Sequence, residues 1–266
     1  MAPLQEAGRV AYLGTMGWSY RFWVGKLYPE GTRTTEYLTE YAKVMNSVEV
    51  DATFYRIPSI STVEAWRDAV PDDFRFAVKF PQTVTHVPGL VYDSGKLEVF
   101  LSHIDILGAK LGPMLLQFPP FLKPTHTALN DLLEKIPKKR LIAAEFRNKR
   151  WFTEETYKLL RDHGVALALT NRSDAANVET ASFAYIRLEG DRKAVNGQRG
   201  IVEVERGIET AEWANKAKRY LESGRDVYAY FSKYYSGYPP ADVEEISKQL
   251  FTHPTNAGTL SSKPLP

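Results

Sequence analysis

No cysteine occurs in this 266-residue chain, which excludes disulfides, thiolate metal sites and cysteine nucleophiles together. Charge of one sign is scarcely in excess: 34 Lys and Arg face 32 Asp and Glu, a formal net charge of +2. That disfavours a polybasic protein gripping nucleic acid through bulk charge, and leaves a local basic patch open. No apolar run approaches a membrane span, and the first ten residues lack the apolar segment of a signal peptide. The expectation is a cytoplasmic protein with no membrane partner. GxGxxG and P-loop motifs are missing as well, so no cofactor is expected.

What is present is a 44% hydrophobic chain in which short apolar runs alternate with amphipathic stretches. Strands are predicted at 10–14, 46–51, 74–80, 113–118, 141–146, 165–170, 183–188 and 227–231, each rich in β-branched, aromatic or leucine residues, as buried parallel strands are. Helices are predicted at 34–45, 61–69, 95–107, 126–135, 153–162, 208–222 and 240–250, with Ser61 and Glu64 in capping-box spacing. Gly108, Gly164 and Gly224 stand where left-handed helix ends are expected. The alternation predicts an α/β fold, a (β/α)₈ TIM barrel over residues 1–251, with a doubly wound open sheet as runner-up. The unit between strands six and seven is shortened, since 171–182 is too brief for a helix with loops. The tail 252–266, rich in Pro, Gly, Ser and Thr, is expected to be disordered.

Helix-to-strand links look short, whereas the strand-to-helix links 15–33, 81–94 and 189–207 are long. In parallel α/β folds ligand sites lie at the strand C-termini, where these long loops belong. Strand alternation then asks which polar groups face the axis. Phe74, Phe76, Val78 and Phe80 share one face of their strand, and Arg75, Ala77 and Lys79 the other. A helix-covered exterior is apolar, so Lys79 should face inward near the top. The same parity places Glu49 with Asp51, Tyr185 with Arg187, and Glu145 and Gln117 on the inner rim.

Lys79, Arg147 and Arg187 are candidates to hold an anion, with Gln117 beside them. Glu49 and Glu145 are candidates for a general acid/base pair, and His86, after strand three, for a base. Two competing readings stand beside these: a structural ion network, because the charges match in sign, and an Arg147 that pairs with a loop acid. Loop 15–33 is unusually aromatic. Trp18 and Tyr20, with Tyr55 after strand two, could stack on a sugar or base, while Phe22 and Trp23 read better as plugs of the barrel. Loop 189–207, with Arg192, Lys193 and Arg199, reads as a basic lid or a solvated loop. The metal-ligand set available is Glu49, Asp51, His86 and Glu145, which no spacing motif supports. No obligatory metal is expected, and a divalent ion stays open.

Several stretches together resemble the DUF72 (YecE-like) family: Gly14-Thr15-Met16-Gly17-Trp18-Ser19-Tyr20 with Trp23, Gly25 and Tyr28-Pro29; Val48-Glu49-Val50 with Thr53-Phe54-Tyr55 and Pro58; and Phe76-Ala77-Val78-Lys79 with Thr85-His86. Leu111-Gly112-Pro113, Gln117-Phe118-Pro119-Pro120, Glu145-Phe146-Arg147 with Trp151-Phe152, and Tyr185-Ile186-Arg187 with Gly190 complete the set, over residues 12–231. The resemblance implies a TIM barrel and a family without an established biochemical function. The chain departs from the family's pattern at Met16, where serine is usual, Asp51, where asparagine is common, and Glu189, where histidine often follows the arginine. Ser232-Lys233 stand in place of asparagines.

Three functions compete. The first is an enzyme, of hydrolase or isomerase type, on a small anionic or sugar-like molecule. The second is a nucleic-acid-binding or metal-dependent nucleic-acid-processing protein, recognisable by steeply salt-dependent binding. The third is a non-catalytic ligand-binding protein with the same pocket. Oligomeric state is not readable from the sequence.

Overall fold

The computed structural model describes residues 4–6, 8–172 and 178–251. After a short antiparallel strand β1 (Leu4–Glu6) come β2 (Arg9–Met16), α1 (Tyr37–Ala42), β3 (Ser47–Val50), α2 (Ala52–Tyr55), α3 (Ile60–Asp68), β4 (Arg75–Lys79), α4 (Gln82–Thr85), α5 (Ser94–Ile104) and β5 (Leu111–Phe118). There follow α6 (His126–Glu134), β6 (Ile142–Phe146), α7 (Glu154–His163), β7 (Ala166–Leu167), β8 (Leu169–Thr170), β9 (Phe183–Leu188), α8 (Gly207–Glu222), β10 (Asp226–Phe231) and α9 (Pro239–Phe251). Strands β2 to β10 are parallel and run in the order β7-β6-β5-β4-β3-β2-β10-β9-β8. Only Ala168 parts β7 from β8, so one stretch of chain pairs with β6 in its first half and β9 in its second, and the barrel closes almost completely.

This is the expected TIM-barrel-like α/β fold, and each of the eight predicted strand segments overlaps a strand. Among the described residues of 171–182 there is no helix, in keeping with the shortened unit; residues 173–177, like the tail 252–266, lie outside the described set. The cap of α3 differs from expectation. Ser59, not Ser61, accepts from the Thr62 backbone N–H, because the cap lies two residues earlier than the capping-box spacing suggests. Gly164 does adopt the left-handed conformation at the end of α7.

Two apolar layers flank the strands. The outer one packs Phe74, Phe76, Phe80 and Leu116 under the helices. The inner one is separate and joins Ala77, Ala143, Ala166 and Ala168 to Tyr12, Tyr185, Tyr228 and Tyr230. Small side chains from β4, β6 and the β7–β8 stretch make room for large ones from β2, β9 and β10, which fills the barrel with side chains rather than a pore. Tyr12 and Tyr228 stack at 4.6 Å, and the Tyr230 hydroxyl meets Ser47 Oγ at 2.7 Å. The register of β4 on β5 shifts between Phe76 and Val78, where Gly112-Pro113 opposes Ala77 alone. A bulge there absorbs the proline that cannot donate to the ladder, and beyond it Lys79 lies opposite Leu115, with Gln117 paired with Glu145.

Gly14 holds β2 tightly against β3: a Cβ there would sit 1.9 Å from the Ser47 carbonyl oxygen. Gly14→Ala is therefore expected to lower the unfolding free energy by about 3 kcal/mol, whereas Gly207→Ala, which meets nothing within 4 Å, should not destabilise. Urea denaturation monitored by circular dichroism checks both; equal midpoints would refute the close-approach argument.

Candidate functional site

Four side chains from across the barrel converge at the C-terminal ends of the strands. Arg187, on β9, is 2% exposed and Glu49, on β3, is fully buried. Arg187 grips Glu49 with Nε at 2.9 Å from Oε2 and Nη2 at 2.7 Å from Oε1. Its Nη1 donates to Glu145, on β6, and to Glu189 at 2.8 Å, while Nη2 lies 3.5 Å from the Met16 sulfur. These contacts account for all five guanidinium N–H groups. Tyr185 donates its hydroxyl to Glu49 Oε2 at 2.7 Å. Burial would weaken the Arg187 charge, yet Glu49 and Glu145 hold its pKa far above the ordinary range. Burial pushes the Glu49 carboxyl up despite Arg187; it acts on Glu145 too, but there Arg187 and Arg147 prevail and hold the carboxyl well down.

The network continues outward. Arg147 Nε meets Glu145 at 2.9 Å and its Nη2 meets Glu189 at 3.1 Å, and Arg172 Nη1 reaches Glu189 at 2.9 Å. Asn171 aims Glu189 by clasping its backbone from both sides, accepting from its N–H at 2.9 Å and donating to its carbonyl at 2.8 Å. Arg187, Arg147 and Arg172 thus face Glu49, Glu145 and Glu189, three charges against three, and the cluster neutralises itself.

Beside this cluster opens a cavity of about 490 Å³ lined by Lys79, Gln117, His86, Asp51, Tyr20 and Phe54, with Arg192 and Lys233 among its other walls. Here hydrogen-bonding capacity is unspent. The Gln117 amide is buried and makes no hydrogen bond among the described residues. Lys79 Nζ lies over the Phe54 ring at 4.2 Å with only Asp51, 3.8 Å away, as a counter-charge, and Asp51 Oδ1 is buried without a hydrogen bond. Burial lowers the Lys79 pKa, Asp51 opposing it. Burial, reinforced by Lys79 and Arg147, also brings His86 down to about 4, so its imidazole is neutral near pH 7. Lys233 sits over the Tyr20 and Tyr234 rings and Arg192 over Tyr234; neither has an acidic partner among the described residues.

The sequence profile described as "Protein of unknown function DUF72" matches residues 12–265. The chain belongs to the DUF72 family. It is 30% identical over 162 residues to the UPF0759 protein YecE of Escherichia coli K12, an alignment covering 60% of this chain and 57% of that one. With the UPF0759 protein YunF of Bacillus subtilis the identity is 32% over 159 residues, covering 55% and 54%. The chain therefore aligns with little more than half the length of these relatives. Among solved structures, a DUF72 protein of Thermotoga maritima superposes with a TM-score of 0.70 at 29% identity, covering 90% of this chain and 98% of that one. A DUF72 protein of Enterococcus faecalis gives 0.76 at 21% identity, covering 92% and 96%.

Met16, Asp51, Glu189, Ser232 and Lys233 of this DUF72 chain all line the cavity. Of the residues singled out from sequence, Lys79, Gln117, His86, Arg147, Arg187, Tyr20 and Tyr55 line it too. Arg187 differs from its expected role, since every donor is committed to protein partners. Glu49 is sealed beneath the cavity, and Glu145 faces a neighbouring one. Trp18 packs in a T-shape against Trp66 at 5.7 Å and does not line the cavity; Trp23, expected with Phe22 to plug the barrel, is buried instead in the outer apolar layer against Tyr28, Tyr41 and Tyr238, with Phe22 partly buried beside it. Arg147 pairs with acids, one of them the loop residue Glu189. Loop 189–207 is tied down rather than free, with Lys26 Nζ donating to the carbonyls of Arg199 and Gly200 and Glu203 N–H to that of Ser236. The candidate metal set Glu49, Asp51, His86 and Glu145 is not assembled as ligands, and no group of three or more His, Asp or Glu placed to hold a metal is found among the described residues.

Sequence reasoning named Glu189 and Lys233 only as departures within the family resemblance and missed them as site residues. Glu189 stood two residues beyond Arg187, on the same strand parity, and that signal would have found it. Nothing local marks Arg172.

Arg187→Met leaves the buried Glu49 without its ion-pair partner and Glu145 with Arg147 alone, and is expected to destabilise the fold by about 4 kcal/mol, read from a urea unfolding curve. For His86, held below its ordinary 6.5 at about 4, the unfolded chain binds the proton more tightly. Its contribution is complete above pH 6.5 and lost as pH falls toward 4. Wild-type stability should drop more steeply over that window than that of His86→Gln; parallel curves would contradict the assignment.

Proposed function

We propose that the chain is an enzyme, of hydrolase or isomerase type, that binds a small anion or an anion-bearing sugar-like molecule in the barrel-mouth cavity and moves a proton with His86. One observation carries this reading: Lys79, Gln117 and Asp51 have hydrogen-bonding capacity left unspent, where such groups ordinarily find partners, and all three line the same cavity. Lys79 supplies the deep positive charge and the Gln117 amide a neutral hydrogen bond. Arg192 and Lys233 supply charge at the rim. The adjoining six-residue ion cluster is self-neutralised, so these cations set the sign of the field in the cavity.

The base in this reading is His86, neutral near pH 7 and weak, with its pKa held at about 4. Its Nδ1 lies 2.9 Å from Thr85 Oγ1, which donates its own proton to the Pro81 carbonyl. Nδ1 then keeps its hydrogen and donates to Oγ1, and the lone pair is on Nε2, which has no partner among the described residues. Glu49 and Glu145 act in this reading as positioning residues: they hold Arg187, and through it Glu189, in place. Full proton transfer by a positioned side chain accelerates a reaction by about 10²–10⁴-fold.

Titration calorimetry with inorganic phosphate tests the anion site. Lys79→Ala should weaken binding at least tenfold, and undiminished affinity would sink the reading. In a screen of small phosphate esters and carboxylates, His86→Ala should lower kcat by about 100-fold with KM nearly unchanged. Steeply salt-dependent binding of DNA or RNA in place of phosphate would favour a nucleic-acid ligand instead.

A further inference from the structure

A second cavity, of about 300 Å³, adjoins the first. Its walls differ in kind. Pro120, Phe146 and Phe152 give it an apolar side, and Glu145, Thr170 and Arg172 a polar edge. Arg147 and Glu189 line both cavities, so the 3.1 Å Arg147–Glu189 contact is the divide between them.

That divide has one movable side. The Arg147 side chain is 35% exposed and can turn toward solvent, while Glu145 and Glu189 are held among other partners. If Arg147 swings aside, Glu145 keeps Arg187, and Glu189 keeps both Arg187 at 2.8 Å and Arg172 at 2.9 Å. Neither carboxylate is left without a counter-charge. The contrast with Arg187 is complete: it is buried, and nothing could replace it. Arg147 Nη1 has no acceptor among the described residues, so the residue can also follow an anion as it moves.

We infer that the second cavity is a subsite of the first: it takes an aromatic or similarly apolar group joined by a short linker to the anion at Lys79, and the linker crosses where Arg147 meets Glu189. The inference rests on the anion-binding reading for its first half. The occupant is the distal part of the same ligand, because the two cavities share their dividing residues and the second is the more apolar of the two. Pro120 and Phe152 offer the face on which a flat ring would lie. The ligand class is therefore a two-part organic anion such as an arylalkyl phosphate, and a bare inorganic ion would fill only half of the site.

Calorimetry on the full chain with two probes, inorganic phosphate and 2-phenylethyl phosphate, tests this. The ester should bind at least tenfold more tightly than phosphate. Phe152→Ala should reduce the ester to the affinity of phosphate and leave phosphate binding within twofold of wild type, with a melting curve to confirm folding. The comparison of the two probes on the wild-type chain needs no variant. Phosphate binding with no gain for the ester, or a gain that survives Phe152→Ala, overturns the subsite and leaves the anion reading intact. Phe152-dependent ester binding without phosphate binding supports the subsite and removes Lys79 as the anchor. Binding of neither probe overturns both.

Discussion

A guanidinium with no access to water must be neutralised by its neighbours, and the upper end of this barrel is arranged around that requirement at Arg187. Solvation given up by a buried charge is recovered only when geometry and hydrogen bonding are both good. Here Glu49 accepts two guanidinium nitrogens and the Tyr185 hydroxyl, and Glu145 and Glu189 take the remaining nitrogen. Because these acids come from β3, β6 and the end of β9, the arginine ties distant strands together at the level where the loops begin.

That closed cluster and the open cavity beside it divide the labour. The cluster contains the residue types that look most catalytic, and spends them on one another. The cavity contains Lys79, Gln117, Asp51 and His86, whose bonding is incomplete. A neutralised floor gives a rigid surface with little field of its own, so a ligand would sense chiefly the cations that lack a nearby acid. Burial lowers the pKa of Lys79 and His86 alike, which suits groups that must exchange a water shell for a ligand.

Much of this was legible without coordinates. Period-two alternation in 74–80 and 183–188 put Lys79, Tyr185 and Arg187 inward, because outer positions must be apolar under the helices. Long loops after the strands located the working end. Partnership was not legible. Trp18 looked like a ligand platform, yet it packs in a T-shape against Trp66, on α3, and does not line the cavity. Arg147 pairs with Glu189 across 42 residues of sequence, and Arg172, which completes that acid's coordination, lies in a turn with no periodicity to read. Lys233 follows the last strand and reaches the cavity because the loop after β10 packs against Gly190, where a Cβ would strike the Tyr234 carbonyl.

By itself, then, the sequence determined the strand-and-helix alternation, which side chains point to the axis, and the end of the barrel that carries the polar groups. These follow from local periodicity and from the need to bury apolar faces. The tertiary structure alone decided which charges are consumed and which are free. Whether Glu49 is a proton carrier or a counter-ion depends on what lies within 3 Å of it, and that is set by residues 138 positions away on another strand.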